Sequence, residues 1–452
     1  MILTGDELPR ILVEPPGPKS KEILEIDKKC FGFGLEGRRF YPLVVEEGHG
    51  AAVRDVDGNI FLDFTASDYN LGPSHPEIVE AIRRQIEKIL LFMEPAGIWE
   101  NYVRFAEKLK SVAPGELKDG KVLYAISGSE TNEFAIDSAR FSTGRPIIIA
   151  YEAGFHGTTP GIQPFTTAFM HFRTARRISD VVHVPYPYCY RCPFHQEYPQ
   201  CSLNCLEYID WLFDTTINPE DVAAIITETI QSPGGIIIPP MDYWPKLYRK
   251  IREHGILIID DEILVGAGRT GKMFAIENWN CVPDIITLGK SIGMGAPLSV
   301  MLARSEILER YPVSVGGQVV SFGGNPVGVT AGIKGLEILQ RDKLIERSAK
   351  LGEHLLKRMQ EIAEEHELIG DVRGMGLNVG VELVKDGKTK EPATEEARLV
   401  CEEAFRRGLI LLRYGIWSQV LRLYPPFNIT EKQLDVGIEL IEESIEAVEA
   451  RQ

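Results

Sequence analysis

From Glu77 to Leu302, short apolar runs alternate with stretches of helical periodicity, and no other feature of the chain restricts its fold so strongly. The runs are Val122 to Ile126, Ile147 to Tyr151, Val222 to Thr227, Ile256 to Ile259 and Asp284 to Leu288. Strands separated by helix-length segments predict an α/β fold with a mainly parallel, doubly wound sheet and helices on both faces. Ahead of this region, Ala51 to Phe64 holds two alternating apolar runs around Asp57-Gly58-Asn59, which reads as a hairpin. After Pro326 the pattern changes to long amphipathic helices. Ile345 to His366 carries Leu351, Leu355, Met359 and Ile362 at helical spacing, Leu409 to Phe427 is hairpin-like, and a last helix shows the stripe Leu434, Ile438, Ile441, Ile445 and Val448.

At 452 residues the chain exceeds what one hydrophobic core usually supports. The expected division is a segment at 1–67 belonging to a small domain, a large domain at 68–320, and the rest of a smaller α+β domain at 321–452, so that both chain ends build the small one. A formal charge of -16 argues against general nucleic-acid or anionic-membrane binding, which needs a basic surface to displace counterions. Any anionic ligand must therefore be held by local groups. The first twenty residues lack a basic start followed by an apolar core, and no run approaches the roughly 18 apolar residues of a spanning helix. A cytoplasmic protein is expected.

In an open α/β sheet ligands bind beyond the carboxyl ends of the strands. Three such places carry chemistry. Ser127 to Glu133 is a glycine turn between a strand and a helix, and it offers free backbone N–H groups and a positive helix end to a phosphate. As an ordinary strand-to-helix turn it would instead be capped by Ser129. Ile256 to Glu262 is an apolar strand ending in three acids, and a carboxylate buried there needs a cationic partner such as a protonated heterocyclic nitrogen. The third, Asp284 to Pro297, places Lys290 after a strand and ahead of a glycine-rich loop. Small and apolar neighbours are the setting that makes an amine a Schiff-base nucleophile. Asp261 and Lys290 end consecutive predicted strands, so one ligand could touch both.

Gly266 to Lys272 fits the first half of a nucleotide-binding loop, but Met273 stands where a magnesium-binding hydroxyl belongs and the acidic strand precedes the loop. That rules against an NTPase.

Taken in order, Asp55 to Asn59, His75-Pro76, Ser127 to Glu133, Phe155-His156-Gly157, Asp261-Glu262, Gly268 to Gly271, Gly289-Lys290, Phe322 to Pro326 and Leu421 to Pro426 resemble the class III aminotransferases of pyridoxal-phosphate fold type I. The likeness spans nearly the whole chain. It implies pyridoxal 5'-phosphate as cofactor, with Lys290 forming the Schiff base and Asp261 pairing with the pyridine nitrogen. Gly128 and Ser129 would hold the phosphate, Phe155 would stack on the ring, and His156 would lie near it, most simply as a hydrogen-bonded structural residue. Ser321 stands where the family has a threonine that reaches the phosphate of the neighbouring subunit, which implies a homodimer with shared active sites. Arg422 matches the carboxylate-binding arginine, and Arg413 sits near a mobile arginine of the amine:pyruvate branch; a forked guanidinium suits a carboxylate.

Two departures bear on specificity. Leu264 replaces the glutamine that many members place near the phenolic oxygen, and Pro233 replaces the glutamate that masks the arginine in the ornithine and 4-aminobutyrate enzymes. The cysteines Cys189, Cys192, Cys201 and Cys205 approach zinc-ligand spacing without paired C-x-x-C knuckles, and they read first as reduced structural thiols, with disulfides and then a zinc site as alternatives. The implied reaction takes an amino group from an ω-amino acid, a 4-aminobutyrate-like compound or an amine and gives it to an oxo acid. An amino-acid racemase or epimerase on the same scaffold is the alternative, since both begin by removing the same proton.

Overall fold

The computed structural model describes residues 3–31, 39–169, 180–311 and 320–451. The chain divides into two compact units, one of residues 77–346 and one built from the two chain ends, 1–76 with 347–452.

Unit 77–346 is built on a seven-stranded sheet, in the order Lys121–Ala125, Ser299–Ala303, Ile285–Leu288, Leu257–Asp261, Val222–Thr227, Ile147–Tyr151, Val181–Val184. All neighbours run parallel except Ser299–Ala303, which is antiparallel to both of its partners. The central strands are buried at every position. Helices therefore cover both faces, and unbroken Val and Ile runs are what such strands require. Each isoleucine removed from water here contributes about 2 kcal/mol, and Ile148, Ile226, Ile259 and Ile285 share one core with Ala135 and Ala139 of the helix Gly128–Thr143.

The five expected strands form within a residue or two of their predicted places. Two escaped the sequence reading. Val181–Val184 is a sheet edge of four residues, and Ser299–Ala303 follows the lysine loop directly, without the intervening helix that marks the others. The helix Pro326–Arg341 also falls in this unit, although the change of pattern after Pro326 suggested a new domain. Packing is the reason. Asn101 donates to Thr330 Oγ1 at 2.8 Å, and a Cβ on Gly332 would lie 2.6 Å from Phe105.

The unit made from the chain ends holds two four-stranded sheets. In one, Ala52–Asp55 and Ile60–Asp63 form the expected hairpin, its turn tied by Asp55 Oδ1 accepting from the N–H groups of Asp57 and Asn59. Gly58 at φ 92° makes that turn possible. In the other, Leu412–Tyr414 pairs with Val420–Leu423, which pairs in turn with Val379–Leu383. The closing helix Glu431–Glu449 starts at a capping box of Thr430 and Gln433 and buries its whole predicted stripe. Among the described residues no helix is long and apolar enough to cross a membrane.

Candidate active site

Asp261 is the last residue of its strand and is buried. Its neighbour across the sheet is Thr287, three residues before Lys290, so the two strand ends lie side by side. Three groups point at the Asp261 carboxylate: Asn132 Nδ2 donates to Oδ2 at 2.7 Å, His156 Nδ1 lies 2.8 Å from Oδ2, and the N–H of Ile263 donates to Oδ1 at 3.1 Å. Asn132 is itself fixed, since its amide also donates to the carbonyl of His156 and its oxygen accepts from Thr287 Oγ1, both at 2.7 Å. Bonds to a buried carboxylate of this kind set its orientation.

The helix Gly128–Thr143 begins directly after the strand ending at Ala125. Its cap is Ser127, whose Oγ accepts from the N–H of Glu130, and not Ser129 as a simple capped turn would have it. Ser129 Oγ instead accepts from the N–H of Thr158 at 3.1 Å. The first-turn N–H groups of Gly128 and Ser129 are left without an intrahelical acceptor, at the positive end of a 16-residue helix.

Lys290 opens a short 3-10 turn after Gly289, with φ of 46°. A lysine in this left-handed region is strained by about 1 kcal/mol or more, and such strain is held only where the surroundings impose it. Among the described residues its amine makes no hydrogen bond or ion pair.

Lys290, Asp261, Gly128, Ser129, Phe155 and His156 line a single cavity of about 160 Å³. Its remaining wall includes Glu228, Pro233, Ile263 and Leu264. Glu228 stands directly after the strand Val222–Thr227 and accepts from the N–H groups of Phe155 (2.9 Å) and Ser232 (3.3 Å). Burial, reinforced by nearby Asp261, pushes its carboxyl well above the usual range. Neither Glu228 nor Asn132 was given a role from the sequence. Signals existed, because Glu228 also follows a strand end and Asn132 lies four residues after Gly128 on the same helix face.

These residues fit a phosphorylated, aldehyde-bearing heterocycle. The turn at Gly128 is a cradle that a Cβ would fill, lying 2.7 Å from Ile263 Cδ1. Asp261 would present a fixed carboxylate to a ring N–H and Lys290 its amine to an aldehyde, and His156 Nε2 is buried with no hydrogen-bond partner among the described residues.

The other expected residues are not among those lining this cavity. Ser321 occupies an exposed turn. Arg422 is buried in the strand Val420–Leu423, and among the described residues its Nε, Nη1 and Nη2 all lack a hydrogen-bond partner. Arg413 is opposite Leu421, whereas Arg422 is opposite Leu412, so the two arginines project from opposite faces of their sheet and cannot hold one carboxylate together. Cys189, Cys192, Cys201 and Cys205 line a common pocket as free thiols, with burial raising Cys189 to about 11 and Cys205 to about 12. Among the described residues no group of three or more His, Cys, Asp or Glu is arranged to hold a metal ion.

Comparison with known proteins gives one family, aminotransferase class III, matched over residues 35–445. An alanine/serine racemase of Pyrococcus horikoshii is 36% identical over 97% of this chain and 93% of its own length. A leucine/methionine racemase of Thermococcus litoralis is 38% identical over 91% of this chain and 92% of its own. A probable 4-aminobutyrate aminotransferase of Bacillus subtilis is 33% identical over 89% and 92%. Among solved structures, a Bacillus anthracis aminotransferase superposes with a TM-score of 0.86 at 31% identity, covering 95% of this chain and 99% of that one.

Proposed function

Because the chain belongs to the class III aminotransferases, a pyridoxal-phosphate-dependent family, we propose that it transfers an amino group from an ω-amino acid, a 4-aminobutyrate-like compound or an amine to an oxo acid, with Lys290 as the proton carrier. When bound, the cofactor supplies an aldehyde that captures amines and a cationic ring that stabilises negative charge on the adjoining carbon. Asp261, held by Asn132 and His156, keeps a proton on the ring nitrogen. Gly128 and Ser129 receive the phosphate on their N–H groups. Phe155, which lines the cavity, would pack on the ring face, and the apolar Pro233, Ile263 and Leu264 would exclude water from the reacting carbon. Lys290 would take the proton from the substrate carbon bearing nitrogen, hold it on Nζ, and return it on the same side to the carbon across that nitrogen.

One observation carries this reading. Lys290 is the cavity residue whose amine makes no hydrogen bond or ion pair among the described residues, whereas His156 Nδ1 is committed to Asp261 and Glu228 accepts two backbone N–H groups. A single base suffices for transfer, since the proton leaves and returns on one side. Racemisation must return it to the opposite side, which calls for a base reaching both sides or a second acid facing the first. A racemase or epimerase is nonetheless the second reading, favoured by the two archaeal racemases.

Arg422 supports a substrate carboxylate, because a buried guanidinium with no acceptor suits an anionic ligand. Ser321 in its exposed turn is consistent with service to a neighbouring subunit in a homodimer, and the acidic composition with a cytoplasmic enzyme that meets neither nucleic acid nor membrane. Incubating holoenzyme with a panel of amino donors, without and then with an oxo acid, tests the choice. New amino acid that forms only with the acceptor supports transfer. Loss of optical activity without any acceptor refutes it in favour of racemisation.

A further inference from the structure

Arg422 lies between two aromatic rings. Its guanidinium carbon is 4.4 Å from the ring centroid of Tyr414 and 4.7 Å from that of Tyr424. The sheet explains how. Tyr424 follows Arg422 by two residues and so shares its face, and Tyr414, two residues beyond Leu412, is the diagonal neighbour of Arg422 across the paired strands. On the other flank the residue opposite Arg422 is Gly380, which places no side chain beside it. The carboxylate whose charge bears on this arginine, Asp63, is committed elsewhere: its oxygens accept from the N–H and hydroxyl of Thr65 and from Tyr69. The guanidinium is thus stacked on aromatic rings and its N–H groups are left over, all directed within the plane between the rings.

We infer that Tyr414 and Tyr424 are positioning residues that clamp Arg422 as a carboxylate receptor with no acidic gate of its own. The inference rests on the reading of Arg422 as the substrate's carboxylate partner. Stacking on a ring face attracts a cation without using its N–H donors, so the clamp fixes the plane of the fork while leaving its edge for a two-pronged acceptor. An acidic residue gating the same arginine would occupy that edge and have to move before each binding event. The rings hold the cation beside an acid, Asp63, whose oxygens are already taken by Thr65 and Tyr69. The receptor should therefore be selective for planar carboxylates, with binding insensitive to the rearrangement that a gate would require.

Butyrate, which carries a carboxylate and no amino group, is the probe, titrated calorimetrically into holoenzyme. Tyr414 is the ring to vary, because it is only half-buried while Tyr424 is fully buried. Tyr414→Leu should weaken butyrate about five- to ten-fold at an unchanged melting temperature, and Tyr414→Phe, which keeps the ring, should bind within two-fold of the parent. Tyr424→Phe should do the same. Arg422→Leu should abolish binding. If Arg422→Leu binds butyrate as the parent does, or the parent does not bind it, the carboxylate reading fails and the clamp with it. If Arg422→Leu loses binding while Tyr414→Leu keeps it, or Tyr414→Phe is as weak as Tyr414→Leu, the clamp alone is overturned.

Discussion

Replacing Asn132 by alanine tests whether the acid at the strand end is held by the network described or merely sits near it. The side chain makes three bonds, each 2.7 Å long, to Asp261, to the carbonyl of His156 and from Thr287. A bond to a charged acceptor contributes about 2 kcal/mol and a neutral one about 1 kcal/mol, so Asn132→Ala should cost about 4 kcal/mol. All three partners are buried and cannot turn to solvent. For a protein of this size that corresponds to a melting temperature lower by about 4 °C. Scanning calorimetry of the cofactor-free protein measures it without interference from ligand binding. Adding Thr287→Val removes the hydroxyl that Asn132→Ala strands, so the double variant should be more stable than the sum of the single losses by about 1 kcal/mol. A fall of less than about 2 °C for Asn132→Ala, or strictly additive losses, would refute the network as the source of this support.

Lys290→Ala should lose borohydride-dependent trapping of the cofactor and at least about 10³-fold in turnover, with exogenous amines restoring part of it; unaltered trapping would move the reactive amine elsewhere. Gly157→Ala should loosen cofactor binding, read as a raised dissociation constant, because a Cβ there would lie 2.6 Å from Ser129 Oγ at a φ of 146°. Asp260 and Glu262 are buried next to each other on either side of Asp261, and burial raises both carboxyls. A raised folded-state value means that the folded protein holds protons the unfolded chain has lost, so stability is greatest at acid pH and declines as pH climbs above the ordinary carboxylate range. Asp260→Asn should flatten that decline in urea-unfolding midpoints measured from pH 4 to 8, and an unchanged slope would contradict the assignment.

Five of the seven strands of the large sheet, and the acid and lysine at two of their ends, were legible because periodicity and strand-end position are local properties. Leu257–Asp261 announces itself as a buried run ending in carboxylates. Ser299–Ala303 does not, since a five-residue antiparallel return with only a short apolar run lacks the helix of its own that marks the others. The helix Pro326–Arg341 looked like the start of a domain because amphipathicity says that a helix has a partner without saying which. Arg413 and Arg422 were both carboxylate candidates in the sequence, and their separation onto two faces depends on a pairing register that no single strand contains.

What the chain's sequence determined by itself is which side chains stand at strand ends and helix starts: Gly128 and Ser129 at one, Asp261 and Lys290 at two others. Only the tertiary structure decided what those groups touch. Asn132 reaches Asp261 across 129 positions of chain and His156 across 105, and the rings of Tyr414 and Tyr424 close on Arg422 through pairing across two strands. The physical reason is that the pattern of apolar residues fixes the face each residue takes within its own element. Strand order and register are instead settled by packing among residues far apart in the chain.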